Sequence, residues 1–435
     1  MSPRRAVRAS PAALLGALLL AVIVLLPQAA GASAQAAPPP DPEVRPVDPA
    51  DPAPGRDARE QGDAAPETLA DEIRRLAERH YEQLDTGEVL HALERLREEA
   101  GGGLTAVGPQ LIRSVIRGEG VPLEAQDVLA AAAGIFFGAV VDHAALLGRL
   151  VLLAVLLALL RLLQSAFAGE TVAAVADAAV YLAMVAVGLV VLWDAFDTIR
   201  GVITDLVDFM LAMLPTLVTL MAGVGAFASA GLLSPASVML VNGVGVVAAQ
   251  WVLPLIFTGT VLQVVNHLPG RIHIERLASL VRQAGLVLLS LAFVVFLGVM
   301  SVQGAASGVV DGVLLRTAKF GAGTFIPVLG GMFADAAELV IGSSLLLKNA
   351  VGIFGLVTVA ALTAIPLLKV LALVLVFRLA AALVQPIADG IFVQALGAMS
   401  DGLVLAAVTA AAVALMFFFA LTVLLGVGNA AVMLR

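Results

Sequence analysis

The chain has 435 residues, of which 60% are hydrophobic and 13% are charged, and its formal net charge is −8. A soluble chain is about 45–50% apolar and about 25% charged, and no soluble core can bury this excess, so the composition excludes an ordinary cytosolic enzyme and predicts a polytopic all-α membrane bundle. The absence of cysteine excludes disulfides, zinc–thiolate sites and iron–sulfur clusters, and the negative charge argues against nucleic acid as a partner.

The negative charge is confined to the N-terminal part of the chain. Residues 37–128 contain 20 acidic and 10 basic residues, a local net charge of −10. The remainder contains 13 acidic and 15 basic residues, a net charge of +2. The apolar part of the chain is therefore almost neutral.

Residues 1–36 have the pattern of a secretory signal peptide. Three arginines precede an apolar stretch over 12–26, and the small residues 32–34 fit a cleavage site. An uncleaved first transmembrane helix is the alternative interpretation. Either one places the following segment outside the cytoplasm.

Two different segments follow the signal peptide. Residues 37–66 are dense in proline and nearly free of large apolar side chains, which predicts an extended, disordered linker. In 67–127, a small acidic extracytoplasmic region, leucines recur at helical spacing, which predicts two short amphipathic helices and a third over 104–117. These helices either dock an extracytoplasmic partner or cap the membrane domain.

Residues 128–435 are predicted to form the polytopic membrane domain, with about six to eight spans of ~20 apolar residues each. The candidate spans are 145–163, 172–193, 209–230, 236–262, 284–302, 350–367, 368–386 and 403–427. The apolar stretch 128–141 is short, and we interpret it as an interfacial or re-entrant helix. In 350–386, Pro366 and Lys369 mark either a tight hairpin or a kink in one long tilted helix.

Two polar stretches give conflicting orientations. Residues 194–208, interpreted as a loop, carry four aspartates and one arginine, whereas the loop 263–283 carries three arginines and one glutamate. The positive-inside rule places the second loop in the cytoplasm. Counting spans from an exported N-terminus places both loops outside. The Gly- and Pro-rich stretch 223–254, which could break into half-helices, is the expected source of the conflict.

Segment 301–352 combines apolar character with charge. Its candidate functional residues are Asp311, Arg316, Lys319, Asp335, Glu338, Lys348 and Asn349. A charge at the bilayer centre costs ~2.5–3.5 kcal/mol on insertion scales, so such residues must be paired or must face water or protein. The segment is predicted to be an amphipathic or re-entrant element. It either lines a conduit or gate, or forms an interfacial helix pair with snorkelling cations.

The same segment is rich in glycine, which allows helices to approach one another closely. The candidate packing glycines are Gly304, Gly308, Gly312, Gly330 and Gly331. The first three recur every four residues and so share one helix face.

Two further cations lie in the next apolar run. Lys369 and Arg378 are nine residues apart, on opposite helix faces, so they are not expected to form one site. Lys369 is interpreted as a snorkelling anchor, whereas Arg378 is expected to need a carboxylate or carbonyl partner.

No enzymatic motif is present. The chain has no P-loop pattern, no HExxH and no GxSxG. His267 and His273 flank a Pro-Gly turn and make only an improbable metal pair. We therefore predict no catalytic residue, no cofactor and no metal.

Several segments resemble the stage III sporulation protein AE family. They read VDGV over 310–313, RTAKF over 316–320, FIPV over 325–328, LLLKNAVG over 345–352, PLLK over 366–369 and FRLAA over 377–381. The specific motifs cover about 285–400, and the layout of signal peptide, acidic segment and polytopic domain extends the resemblance to the whole chain. The Pro-rich linker has no counterpart in it.

The resemblance implies a role that the residues alone do not. Family members belong to the eight-protein stage III A-operon assembly in the mother-cell membrane around the engulfed forespore. That assembly meets a forespore membrane protein across the intermembrane space and forms a secretion-like channel that sustains late forespore gene expression. The resemblance also implies that a separate ATPase of the operon supplies the energy, and because the family has no established catalytic residues, none is carried over to this chain.

Three mechanisms remain open from the sequence. The chain could be a conduit lined by 301–352, a scaffold that packs against other membrane proteins and lipid, or a stand-alone small-molecule permease. Inverted repeats would favour the permease, and no convincing internal repeat is present.

Overall fold

The structure is a computed structural model that describes residues 69–83, 109–117, 125–167, 170–266, 274–325, 330–387 and 390–433. All of these ranges are dominated by helix, and no strand occurs among them, so the predicted all-α class is confirmed. The predicted signal peptide and Pro-rich linker lie outside the described residues.

The described helices fall into a short N-terminal pair and a series of long ones. They are α1 (Leu69–Gln83), α2 (Pro109–Arg117), α3 (Ala125–Asp142), α4 (Ala144–Phe167), α5 (Glu170–Gly223), α6 (Phe227–Val246), α7 (Leu253–Val265), α8 (Glu275–Phe325), α9 (Gly330–Val384) and α10 (Gly390–Met433). A π-helical segment, Val247–Val252, joins α6 to α7 without a break.

Six stretches of the described chain are long and apolar enough to cross a membrane, which confirms the polytopic bundle. They are Gln126–Leu156, Ala178–Gly223, Phe227–Val265, Glu275–Ala306, Leu339–Val384 and Gly390–Gly426. The apolar windows of the last two are 67% and 72% buried, against 22% for Gln126–Leu156 and Glu275–Ala306. Helices α9 and α10 therefore form the centre of the bundle, and α3, α4 and α8 its outside.

The prediction of a loop at 194–208 is wrong, because these residues lie in the middle of α5. Ile199, Ile203 and Leu206 are fully buried, whereas the aspartates occupy the opposite, exposed side. The segment is an amphipathic helix whose polar face resembles a loop in composition. The predicted span 172–193 and residues 209–223 of the predicted span 209–230 are therefore parts of one helix, whereas 224–230 form the following turn and the start of α6.

Two other predictions of span boundaries are settled in the same way. The stretch 350–386 has no hairpin, because α9 runs without interruption through Pro366. The stretch 128–141 is not a separate interfacial or re-entrant helix, because the backbone N–H of Leu147 donates to His143 and carries α3 into α4 as one candidate span. Segment 301–352 has no re-entrant break within 301–325 or 330–352, which belong to α8 and α9.

Helix α5 and the α6–α7 rod form a long antiparallel hairpin. The chain turns at Gly225, whose φ of 92° is a conformation that favours glycine. Farther along, Phe196 and Phe257 stack edge to face at 5.2 Å, and the Tyr181 hydroxyl donates to the Val264 carbonyl at 2.7 Å. The suspected break in 223–254 is thus present at Gly225, but residues 227–265 then continue as one rod.

The two short N-terminal helices pack against α9. Ile73 lies against Gly342, where a Cβ would come within 3.1 Å of the Ile73 side chain. Ala77 and Ile116 are buried in the main hydrophobic core. Burial raises the pKa of the Tyr81 hydroxyl, and the nearby Arg113 guanidinium opposes that shift. This is the packing that the cap interpretation requires, and we call α1 and α2 the cap.

The cap and the arginine-rich loop lie at opposite ends of the bundle. A Cβ on Gly223 would lie 2.9 Å from the Ser344 hydroxyl, two residues from the cap contact at Gly342, so the Gly225 turn and the cap share one end. The other end holds Val265, where α7 stops, and Arg276 at the start of α8. The two termini of the α6–α7 rod are therefore separated by the whole height of the bundle.

Candidate functional site

Lys348 is the only lysine or arginine in the described core that is completely buried. It lies on α9, and its ammonium group donates a hydrogen bond of 2.7 Å to the backbone carbonyl of Leu425 on α10. A buried charge is costly unless it is hydrogen-bonded. The bond therefore supplies part of the compensation that this position needs.

The surroundings of Lys348 are tightly packed and partly polar. Ser343 and Ser344 are buried one turn before it, and the side-chain oxygen of Asn349 is buried without a hydrogen-bond partner. A Cβ on Gly352 would overlap the Leu425 side chain, and a Cβ on Gly355 would lie 2.5 Å from the terminal methyl of Met213. Glycine on α9 thus allows the close approach of both α10 and α5.

Arg378 has the carboxylate partner that the sequence required. Its Nη2 atom lies 3.7 Å from Asp401 Oδ1, and its Nε donates to the Ser400 hydroxyl at 3.1 Å. Both side chains of the ion pair are about half exposed, at 51% and 52%. An ion pair this accessible contributes little stability.

The candidate cations on α9 do not converge on one site. Lys348 and Lys369 are 21 residues apart, about 32 Å along a helix, and Arg378 lies about 14 Å farther on. Lys369 is exposed, as an anchor requires. Gly304 is half-buried on α8.

The remaining candidates lie on helices whose side chains are outside the described residues there. They are Asp311, Arg316 and Lys319 on α8, Asp335 and Glu338 on α9, and the glycines Gly308, Gly312, Gly330 and Gly331. Their proposed roles in a conduit or in packing stay predictions.

The middle of α5, which the sequence predicted to be a loop, carries a row of exposed carboxylates. Asp194, Asp197, Asp205 and Asp208 lie exposed along α5. Their spacing of three, eight and three residues places them along one side of a helix. We call this surface the acidic face. The same spacing, together with the buried Ile199 and Ile203 opposite, is the signal that could have identified it.

The acidic face lies at the same height as an apolar face of α8. Phe257 on α7 contacts Trp193 and Phe196 on α5 at centroid distances of 5.3 and 5.2 Å. Next to it on α7, a Cβ on Gly259 would lie 3.1 Å from Arg282 on α8, and Ile256 lies 3.3 Å from the Cβ position of Gly285. These contacts align the beginning of the acidic face with residues 282–285.

From that point α8 exposes large apolar side chains. They are Val287, Leu291, Val294 and Val295, between 50% and 67% exposed. The acidic face, in turn, lies in the middle part of α5, with apolar residues of the candidate span Ala178–Gly223 on either side of it. At the same height, the bundle therefore exposes apolar side chains on α8 and carboxylates on α5.

This arrangement restricts what can surround α5. Four carboxylates facing lipid would each cost ~2.5–3.5 kcal/mol on insertion scales. The exposed apolar side chains of α8 can face lipid without this cost. The acidic face must therefore contact water or another protein wherever α8 contacts lipid.

Known proteins share this chain's sequence across most of its length. The family model for stage III sporulation protein AE matches residues 109–428. The stage III sporulation protein AE of Bacillus subtilis (strain 168) is 36% identical over 369 residues, which cover 85% of this chain and 92% of that protein. No solved structure matches the chain. The matched range runs from the first residue of α2 to residue 428 near the end of α10, and the chain belongs to the stage III sporulation protein AE family.

Proposed function

We propose that this membrane protein with a role in sporulation is a non-enzymatic component of the channel between mother cell and forespore. It acts within the stage III A-operon complex, together with other membrane proteins and a forespore-side partner across the intermembrane space. Family membership and the six apolar helices support this assignment. The channel supports late forespore development.

The observation that carries a role within an assembly is the acidic face of α5. A carboxylate-lined surface at the centre of a membrane span needs water or a protein neighbour. A polytopic protein that works alone would have to cover this surface itself. The exposed aspartates are instead suited to a lumen or to the surface of a partner.

The protein resides in the mother-cell membrane with its cap outside the cytoplasm. From an extracytoplasmic cap, the first three of the six alternating crossings bring the loop between α7 and α8 to the cytoplasmic side. Arg276 and Arg282 then lie inside, as the positive-inside rule requires. The two orientations then agree, because 194–208 lies within a span and does not have to be assigned to either side of the membrane.

Charge reversal on the acidic face tests the proposal. The double variant Asp197→Arg/Asp208→Arg places cations where the assembly holds carboxylates, and the isosteric Asp197→Asn/Asp208→Asn removes charge without changing size. Sporulating cells that carry each variant are assayed for late forespore gene expression and for co-purification of the other membrane proteins. We expect the arginine variant to abolish late forespore gene expression.

The second readout distinguishes a conduit from a scaffold. A complex that assembles normally but does not sustain the forespore indicates that the face lines a conduit. Loss of co-purification indicates that it binds partner proteins. Arg316→Glu/Lys319→Glu gives the same comparison for the 301–352 segment. Normal development with the arginine variant would contradict a role for the acidic face, and solute transport by the purified chain alone in liposomes would favour a permease.

A further inference from the structure

The two tryptophans of the chain are both exposed on the hairpin that α5 forms with the α6–α7 rod. Trp193 on α5 and Trp251 in the π-helical segment are each 60% exposed. Trp193 stacks edge to face on Phe257 of α7 at 5.3 Å, so its ring is held in place while most of it stays accessible. Tryptophan is enriched at the contact points of protein–protein interfaces. The pair therefore indicates a surface that another protein covers.

Both tryptophans lie at the height of the acidic face. Phe196 on α5 stacks on Phe257 of the rod, and farther along Val207 on α5 lies 2.6 Å from the Cβ position of Gly245. Trp251 is halfway between these two rod residues, so it lies opposite the point halfway between their partners on α5, which is the middle of the acidic face. Carboxylates and indole rings therefore occur at one height on neighbouring helices.

On α5, Trp193 shares one side of the helix with charged residues of both signs. Asp197 follows it by four residues and Arg200 by seven, and residues at these spacings lie on one side of a helix. The stretch 193–208 holds four aspartates and one arginine, a net charge of 1 − 4 = −3. No described residue forms an ion pair with Asp197 or Asp208. The surface is therefore negative with the arginine counted, and it is suited to a cationic neighbour.

A gap in the row of aspartates gives access to the backbone of α5. Gly201 is exposed, four residues after Asp197 and seven before Asp208, and no atom lies within 4 Å of its Cβ position. In membranes, an uncovered glycine lets a second helix approach closely. On the rod, the π-helical segment exposes Gln250 next to Trp251, and π-helical segments occur frequently at functional sites. These features favour a helix as the neighbour of the hairpin.

We call the acidic face together with Trp193 and Trp251 the docking surface. We propose that the docking surface binds a membrane-spanning helix of another protein that carries an arginine at this height. Arginine fits both parts of the surface, because its planar guanidinium forms two-point contacts with carboxylates and stacks on indole rings. A single segment that crosses the membrane beside α5 must be helical. This inference rests on the proposed role in an assembly and names the chemistry of one neighbour.

A second copy of this chain is the alternative occupant, and it offers Lys369. Copies in one membrane are related by an axis along the membrane normal, so contacting residues lie at equal heights. Gly188 on α5 lies against Phe377 on α9, which places the exposed Lys369, eight residues before Phe377, near the height of Asp197. Lys369 already interacts within its own chain, and lysine lacks the planar guanidinium. An arginine-bearing helix of another protein therefore fits the surface better.

The test uses the full chain in phosphatidylcholine vesicles and a synthetic leucine-rich peptide that spans the bilayer with one arginine at its centre. The peptide has no tryptophan and carries a dansyl group, so energy transfer from the two tryptophans of the chain reports docking at the surface itself. The same peptide with glutamine in place of arginine gives the background of random encounters. The variants are Asp197→Asn/Asp208→Asn and Gly201→Leu, and the exposed pair Asp127→Asn/Asp142→Asn is the matched control.

We expect saturable energy transfer to the arginine peptide and only the background with the glutamine peptide. Loss of one charged hydrogen bond weakens binding roughly ten- to hundred-fold, so Asp197→Asn/Asp208→Asn should weaken the arginine peptide at least about ten-fold. Trp251→Leu should weaken it roughly two- to thirty-fold through the lost stacking. The control pair should bind like the wild type.

Gly201→Leu separates docking of a helix from general attraction of a cation. The variant keeps every charge, and its side chain has room in the fold because no atom lies within 4 Å of the Cβ position. A leucine there keeps a second helix at a distance, so binding of the arginine peptide should be lost. If the asparagine pair does not fold, Gly201→Leu and Trp251→Leu carry the comparison.

Four outcomes overturn the proposal. They are equal energy transfer to the two peptides, unchanged binding by the asparagine pair at 197 and 208, unchanged binding by Gly201→Leu, and equal weakening in the control pair. Disulfide formation between two Gly201→Cys chains in vesicles without peptide would assign the surface to a second copy instead. If the arginine peptide does not bind while the charge-reversal variant still blocks forespore development, the docking proposal fails and the proposed function stands in its conduit form.

Discussion

The ammonium group of Lys348 and the carbonyl of Leu425 join the two central helices of the bundle through a 2.7 Å hydrogen bond. The lysine is fully buried, and the carbonyl belongs to the interior of α10, where it also accepts the helical hydrogen bond. The contact therefore satisfies the lysine far more than it satisfies the carbonyl. That asymmetry determines which substitutions of Lys348 the fold can accept.

Lys348→Met should be tolerated, whereas Lys348→Glu should not. Methionine has a similar length and leaves no unsatisfied donor, so we expect a change in the free energy of unfolding below about 1.5 kcal/mol. Glutamate would bury a negative charge beside a carbonyl oxygen, which should destabilise the protein by roughly 3–5 kcal/mol. Denaturant unfolding in detergent measures both. A severe loss with methionine would show that the ammonium charge itself holds the bundle together.

The close approach of α9 and α10 at Gly352 predicts a second sensitive position. A Cβ there would overlap the Leu425 side chain, so Gly352→Ala should cost about 1–3 kcal/mol through overpacking. Gly397 on α10 is the matched control, because no atom lies within 4 Å of its Cβ position. Gly397→Ala should be neutral or stabilising by up to about 1 kcal/mol, since alanine is the better helix former. Equal effects at both positions would contradict the packing of this interface.

The sequence predicted the all-α bundle, because an apolar run of twenty residues has few alternatives in a membrane. It did not predict the continuity of α5, since Asp194–Asp208 is polar enough for a loop and only its buried partners reveal the helix. The hairpin considered at Pro366 is also absent, because neighbouring helices can hold a proline inside a buried helix. The partner of Arg378 was predicted by type but not by identity, because Asp401 lies on another helix. The acceptor of Lys348 is a backbone atom, which no residue pattern can indicate.

The height of the α6–α7 rod predicts that its two ends lie on opposite sides of the membrane. Residues 227–265 form a candidate span of 39 residues, about 58 Å long, against a hydrocarbon core of about 30 Å. The chain has no cysteine, so Phe227→Cys and Arg276→Cys each introduce a single probe at an exposed position. A membrane-impermeant maleimide applied outside intact cells should label position 227 and leave position 276 unlabelled until the cells are opened. Labelling of both from one side would contradict the six-span topology.

The acidic face predicts that water reaches the centre of the bundle on one side only. Asp197→Cys on α5 and Leu291→Cys on α8 lie at neighbouring heights, but the first replaces a carboxylate and the second an apolar side chain that is 58% exposed. Because maleimides react with the hydrated thiolate, the protein alone in lipid vesicles should be modified at position 197 and not at position 291. Equal reactivity at positions 197 and 291, or no reaction at position 197, would mean that the two faces share one environment. Within the assembled complex, continued reactivity at position 197 indicates a water-filled conduit, and protection indicates that a partner protein covers the carboxylates.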